Sequence, residues 1–90
     1  MISIRHLVNN ERVCDVMFNL YLRWLDEWQY EDINEYGVVL ANVIGAEYKG
    51  CDVVLLKCES KPFAFTFSID NEKVRLFIKE QGDNVIICGQ

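Results

Sequence analysis

A run of seventeen residues, FAFTFSIDNEKVRLFIK at positions 63–79, decides the fold of this chain. Its first seven residues place a phenylalanine or isoleucine at every second position, with small or polar residues between them. Asp70-Asn71-Glu72 follows with turn-forming residues, and in Lys73–Lys79 valine, leucine and isoleucine again alternate with other residues. Apolar residues with a period of two predict β-strands that are buried on one face, and the short polar connection predicts antiparallel pairing.

The same pattern extends in both directions from this pair. Cys51–Glu59 and Asn84–Cys88 are two further strand candidates, joined to it through Ser60-Lys61-Pro62 and Gln81-Gly82-Asp83. Both connections contain residues that favour turns. The second half of the chain is therefore expected to form an antiparallel meander of about four strands.

The first half has helical spacing instead. Between Val13 and Trp28 the apolar residues recur at intervals of three and one, which is typical of an amphipathic helix, and Asn9-Asn10 precedes it as an N-cap. A second helix is expected after Asp32, although residues 38–44 are rich in β-branched residues and also suit a strand. Ile2–Val8 alternates weakly and is interpreted as a short N-terminal strand.

These elements predict one α+β domain over residues 1–90, with helices packed on the phenylalanine face of the sheet because three exposed phenylalanines would form an aggregating patch. A strand, two helices and a meander in this order resemble the opening half of the GNAT acetyltransferase fold. The resemblance is one of topology, and it implies an enzyme or small-ligand binder that holds acetyl-CoA on a glycine-rich turn of Q/R-x-x-G-x-G/A type. The sequence has no such turn, since only Gly82-Asp83-Asn84 and Cys88-Gly89-Gln90 follow the last clear strand, and an acetyltransferase is therefore disfavoured.

Composition narrows the function classes. The chain has 90 residues, 51% of them hydrophobic, and 14 acidic against 9 basic residues give a net charge of −5. It is too apolar for intrinsic disorder, and it has neither an apolar run long enough for a membrane span nor the layout of a signal peptide, so we expect a cytoplasmic protein. A net negative charge also argues against direct nucleic-acid binding.

No pattern of catalytic or metal-binding residues is present. The four cysteines, Cys14, Cys51, Cys58 and Cys88, lack the close pairs of a zinc site and are interpreted as small buried hydrophobic residues. His6 is the only histidine and has no neighbouring nucleophile. We therefore expect no enzyme activity, no metal and no cofactor.

The most unusual segment is residues 24–36, which contain five carboxylates, four aromatic residues and no basic residue. We interpret it as a recognition patch in which carboxylates attract a basic partner protein and aromatic side chains anchor it, while a merely solvating role is the alternative. An inhibitor, antitoxin or immunity protein of phage or bacterial type would act in this way on a partner that handles nucleic acid. The predicted partner-binding residues are Asp26, Glu27, Trp28, Tyr30, Glu31, Asp32, Glu35 and Tyr36.

A second hypothesis concerns the opposite face of the sheet. Alternation places four basic residues there, beside Thr66, Ser68 and Phe77, and Val53 and Leu55 are expected to share that face. Such a surface would suit a homodimeric structural subunit that associates through its sheet face or an edge strand. The basic residues are Lys57, Lys73, Arg75 and Lys79.

Overall fold

A computed structural model of the protein describes residues 2–27 and 31–90. Within these residues, three helices precede a four-stranded antiparallel sheet whose strand order is β1-β2-β3-β4, which is the predicted two-layer α+β arrangement. No helix among them is long and apolar enough to cross a membrane. The elements are α1 Ile4–Val8, α2 Glu11–Glu27, α3 Ile33–Glu47, β1 Val53–Ser60, β2 Phe63–Ile69, β3 Glu72–Gln81 and β4 Asn84–Gly89.

The phenylalanine face of β2 is the floor of the core, as predicted. Phe65 and Phe67 are fully buried, and Val13 and Met17 of α2 belong to the same cluster. Burying such side chains stabilises the fold by about 1.5–3 kcal/mol each, which makes this face the main source of stability. Asp70 and Asn71 have positive φ angles of 52° and 69°, the conformation that a two-residue hairpin turn between β2 and β3 requires.

Helices α1 and α3 lie close to the two outer strands because glycine is present at each contact. A Cβ atom on Gly37 of α3 would lie 2.7 Å from a Leu55 methyl group and 3.0 Å from the Cys58 sulfur. A Cβ atom on Gly89 of β4 would collide with Ile4 of α1. The absence of a side chain at these two positions lets each helix approach its strand.

Both long helices begin where the sequence predicts. The Asn10 side-chain oxygen accepts a hydrogen bond from the Val13 amide at 3.0 Å, which caps α2. Asp32 caps α3 by accepting from the Asn34 amide at 3.0 Å. Residues 38–44 are helical, so the alternative of a strand there is excluded. The helix continues past Gly45 to Glu47, although glycine commonly ends a helix.

The predicted N-terminal strand was wrong, because residues 4–8 form α1. The apolar residues Ile4, Leu7 and Val8 have helical spacing, while Ile2, Ile4 and Val8 also fit the alternation of a strand. A segment of five residues is too short for periodicity to distinguish the two. Ser3 caps the helix, and the His6 Nδ1 atom accepts a hydrogen bond from the Ser3 amide at 3.1 Å, in the manner of a capping box. The chain therefore begins with a helix, and the strand-first order that resembled the acetyltransferase fold is not present.

The expected outward position of Val53 and Leu55 was also wrong. The register between β1 and β2 shifts between Leu55 and Lys57, so one extra residue, Leu56, enters β1 as a bulge. Val53 and Leu55 consequently face the helices and pack against the core, whereas Lys57 pairs with Thr66 on the outer face. A bulge reverses the alternation of a strand, and the sequence of β1 contains no glycine or proline that would mark it.

Candidate functional site

The acidic residues of the predicted patch lie at one end of the helical layer. Asp26 is exposed in the last turn of α2, and Glu27 is the last residue of that helix. Glu31 comes just before Asp32, which caps α3. Glu35 is exposed in the first turn of α3. Trp28, Tyr30 and the side chain of Glu27 lie outside the described residues.

Two of these carboxylates stabilise the fold locally. Glu31 pairs with Arg23, whose Nη2 and Nε atoms lie 2.7 and 2.8 Å from its Oε1 atom. Asp32 accepts hydrogen bonds from both the backbone and the side-chain amide of Asn34. Asp26 and Glu35 remain as exposed carboxylates that are available to a partner.

The C-terminal position of Asp26 and Glu27 is electrostatically unfavourable for α2. The C-terminal end of a helix carries partial negative charge, and an acidic side chain there costs about 0.3–1 kcal/mol. The last turn of α2 contains no basic residue that would offset this cost. The Asp26 carboxylate therefore lowers the stability of the helix that carries it.

Tyr36 lies in the core and is not a surface anchor. Its exposed fraction is only 4%, and its ring packs edge-on against Trp24 at 6.0 Å and Phe63 at 6.4 Å. The spacing of apolar residues could not show whether Tyr36 is buried or exposed, because α3 is apolar on several faces. Of the three aromatic residues predicted for the patch, Tyr36 is thus buried, while Trp28 and Tyr30 lie outside the described residues.

A pocket of about 760 Å³, which was not predicted, lies against the C-terminal part of α2, where Tyr21, Trp24 and Leu25 line it. Its walls come from α2, from the turn between β1 and β2, and from β3, so residues far apart in sequence meet there. The only sequence signal for this pocket is the high aromatic content of residues 21–36. The lining residues are Tyr21, Trp24, Leu25, Ser60, Lys61, Pro62, Phe63, Ile78 and Glu80.

Aromatic rings form the inner wall of this pocket. The Tyr21 and Phe63 rings are 5.5 Å apart, and the Trp24 ring lies 6.4 Å from Phe63. The Tyr21 hydroxyl donates a hydrogen bond to Glu80 at 3.0 Å. Burial raises the pKa of Tyr21, and the Glu80 carboxylate raises it further, so this hydroxyl stays protonated and continues to donate. The pocket thus has an apolar floor with Glu80 and Lys61 among the residues that line it.

The outer face of the sheet carries the predicted basic residues, but Arg75 is held by its neighbours. Its guanidinium forms two hydrogen bonds to Glu59, at 2.9 and 3.3 Å, and a third to Gln90 at 3.2 Å. It also lies 4.9 Å from the centre of the Phe77 ring. Arg75 of β3 therefore links β1 to the residue that follows β4, and its guanidinium is already held by these partners.

The four cysteines are not paired with one another, and the His6 Nδ1 atom lies 3.0 Å from the Ser3 hydroxyl oxygen in the cap of α1. All four cysteines are free and partly exposed, which differs from the expected full burial. Burial is the main cause that raises the pKa of Cys14, Cys51 and Cys58, and a raised pKa keeps these thiols protonated and poorly nucleophilic. Across residues 2–27 and 31–90, no group of three potential ligands could hold a metal ion.

The comparisons with known proteins add no assignment: no family, curated protein or solved structure matches this chain.

Proposed function

We propose that the protein is a non-catalytic binding module that recognises a basic segment of a partner protein with its acidic end. The partner's basic residues would lie against Asp26, Glu27 and Glu35, while one of its apolar side chains enters the neighbouring pocket. This is the action of an inhibitor, antitoxin or immunity factor, and a nucleic-acid-handling enzyme, whose binding site is basic, is the fitting target.

The observation that carries this proposal is that the last two turns of α2 supply both a wall of the pocket and an exposed acid. Leu25 lines the pocket with 55% of its surface exposed, and Asp26 follows it on the same helix. Interfaces derive most of their affinity from an anchor in a central pocket, whereas surrounding charges mainly accelerate association. Carboxylates that oppose the α2 dipole lower stability and so support a role in binding rather than in folding.

The first experiment tests the charges. The triple variant Asp26→Asn, Glu27→Gln, Glu35→Gln is compared with a control, Glu11→Gln, Asp15→Asn, Glu72→Gln, which removes three exposed acids elsewhere. Each protein is immobilised, exposed to a lysate of the native host, and eluted with a salt gradient. We expect one species that is retained by the wild type and the control but released from the triple variant at lower salt, because salt screens exposed charges. Equal retention by both variants would show that the acids only solvate this end.

The second experiment tests the pocket with the species so purified. Both tryptophans of the chain are in residues 24–28, so intrinsic fluorescence reports binding at this end. Leu25→Ala should weaken binding about tenfold, the effect of losing about 1.4 kcal/mol of contact energy. Leu22→Ala is the matched control, because Leu22 is equally exposed on α2 and does not line the pocket. Similar losses in both variants would assign binding to the α2 surface in general and not to the pocket.

A further inference from the structure

The two edges of the sheet differ in how they are protected against pairing with another strand. Strand β1 contains the bulge at Leu56 and carries the charged residues Lys57 and Glu59, and both features hinder the addition of a strand. Strand β4 has neither: residues 84–89 read NVIICG, without a charge or a proline, and its register with β3 is continuous. In the described part of the chain, β4 therefore presents the open edge.

The backbone pattern shows which groups that edge presents. Arg75 and Gln90 exchange two backbone hydrogen bonds, at 3.0 and 2.9 Å. In an antiparallel pair such bonds occur at every second residue, so Cys88 and Ile86 also bond to β3. Val85, Ile87 and Gly89 consequently direct their amide and carbonyl groups away from β3, toward the edge.

We propose that this edge binds a second copy of the chain, β4 against β4 in antiparallel orientation, to form a continuous eight-stranded sheet. With a two-fold axis at Ile87, the strands pair in a register in which the edge-facing amide and carbonyl groups of Val85, Ile87 and Gly89 all form hydrogen bonds. This register pairs Ile87 with Ile87 of the partner subunit and pairs Val85 with Gly89 of the partner subunit, so that six backbone hydrogen bonds form. The match is self-complementary, as a two-fold interface requires.

Side chains on both faces favour a second copy over an unrelated strand. Val85 faces the helical layer but is 37% exposed, because the short α1 covers only the Gly89 end of β4. In the proposed register, each Val85 lies beside the α1 residues that cover Gly89 of the partner subunit. On the outer face, Ile86, which is also 37% exposed, comes opposite Cys88 of the partner subunit. Strand β4 has no charged residue, so no like charges lie directly opposite each other in this pairing, although each chain has a net charge of −5.

The association is tested by analytical ultracentrifugation of the full chain from about 1 to about 200 µM, a range that resolves micromolar dissociation constants. We expect a concentration-dependent dimer. Val85→Lys should raise the dissociation constant at least tenfold, and the monomer should keep its fold because the introduced ammonium lies opposite Glu80. Val54→Lys on the other edge strand, at a site 47% exposed, should leave it unchanged. A monomer at every concentration, or a loss of association only in Val54→Lys, would overturn the proposal.

Cross-linking tests the register. In a Cys88→Ser background, Ile87→Cys places two thiols at the axis, where opposed Cα atoms lie about 5.5 Å apart and can form a disulfide. Val85→Cys is the control, since the two copies of residue 85 are about 13 Å apart in this register, at 3.3 Å per residue. Oxidation should link the Ile87→Cys protein and leave the Val85→Cys protein monomeric on a denaturing gel. The reverse pattern, or no cross-link in either, would contradict pairing about Ile87.

Discussion

At the scale of single residues, two glycines of α3 have opposite roles. Nothing lies within 4 Å of a Cβ atom added to Gly45, whereas one added to Gly37 would be too close to Leu55 and Cys58. Alanine is favoured over glycine in a helix by about 1 kcal/mol, and overpacking costs about 1–3 kcal/mol. We expect Gly45→Ala to raise the free energy of unfolding by about 1 kcal/mol and Gly37→Ala to lower it by about as much, as measured by urea denaturation. Equal gains in both variants would show that α3 does not need its close approach to β1.

The ion pair between Glu59 and Arg75 makes stability depend on pH. The hydrogen bonds from Arg75 lower the pKa of Glu59 in the folded protein, against the smaller effect of burial. Because its pKa is lowered in the folded protein, ionised Glu59 contributes its full stabilisation at pH values above the ordinary glutamate pKa of about 4.3. This contribution is lost as the pH falls through the pKa of the folded state. Thermal midpoints of Glu59→Gln should therefore fall less than those of the wild type between about pH 6 and pH 3. Glu72→Gln, which removes an exposed carboxylate of β3, should follow the wild-type slope.

At the scale of elements, the Asn10 side chain connects the three helices through hydrogen bonds. Its oxygen caps α2, while its amide nitrogen donates to Glu47 at 3.2 Å and to the Tyr48 hydroxyl at 3.1 Å. The Tyr48 hydroxyl in turn donates to the His6 carbonyl of α1 at 3.1 Å. Loss of a cap costs about 1 kcal/mol and each hydrogen bond contributes about 1 kcal/mol. Asn10→Ala should thus lose about 3 kcal/mol on chemical denaturation, and Asn10→Ser, which keeps the cap, about 2 kcal/mol. If both variants lost the same amount, the cap would contribute nothing, and if Asn10→Ser lost nothing, the amide bonds would contribute nothing.

Elements could be predicted from the sequence where one periodicity extended over many residues. The spacing from Val13 onward identified α2, and alternation identified β2 to its last residue. The method failed where a segment was short or interrupted: α1 spans one turn, and the Leu56 bulge reversed Val53 and Leu55 without a local signal. The pocket could not be predicted at all, because Tyr21, Phe63 and Glu80 meet only through tertiary packing.

At the scale of the whole molecule, the net negative charge lies mainly in the first 36 residues. Residues 1–36 carry seven acids against three bases, whereas residues 37–90 carry seven against six. The excess includes Asp26 in the last turn of α2, at the negative end of the helix dipole, while Glu11 lies at its positive end. The proposed function therefore predicts that the carboxylates that attract a basic partner also destabilise the free protein.

This opposition gives a measurable prediction. Asp26→Asn with Glu27→Gln should raise the free energy of unfolding by about 1 kcal/mol in low salt, since each removes a dipole penalty of about 0.3–1 kcal/mol. Glu11→Gln should lower it by a few tenths of a kcal/mol, because the same dipole favours that acid. Both differences should shrink in about 0.5 M salt, where exposed charges are screened. A double variant that is no more stable than the wild type would mean that these acids carry no stability cost. The argument that they are present for binding would then rest on the pocket alone.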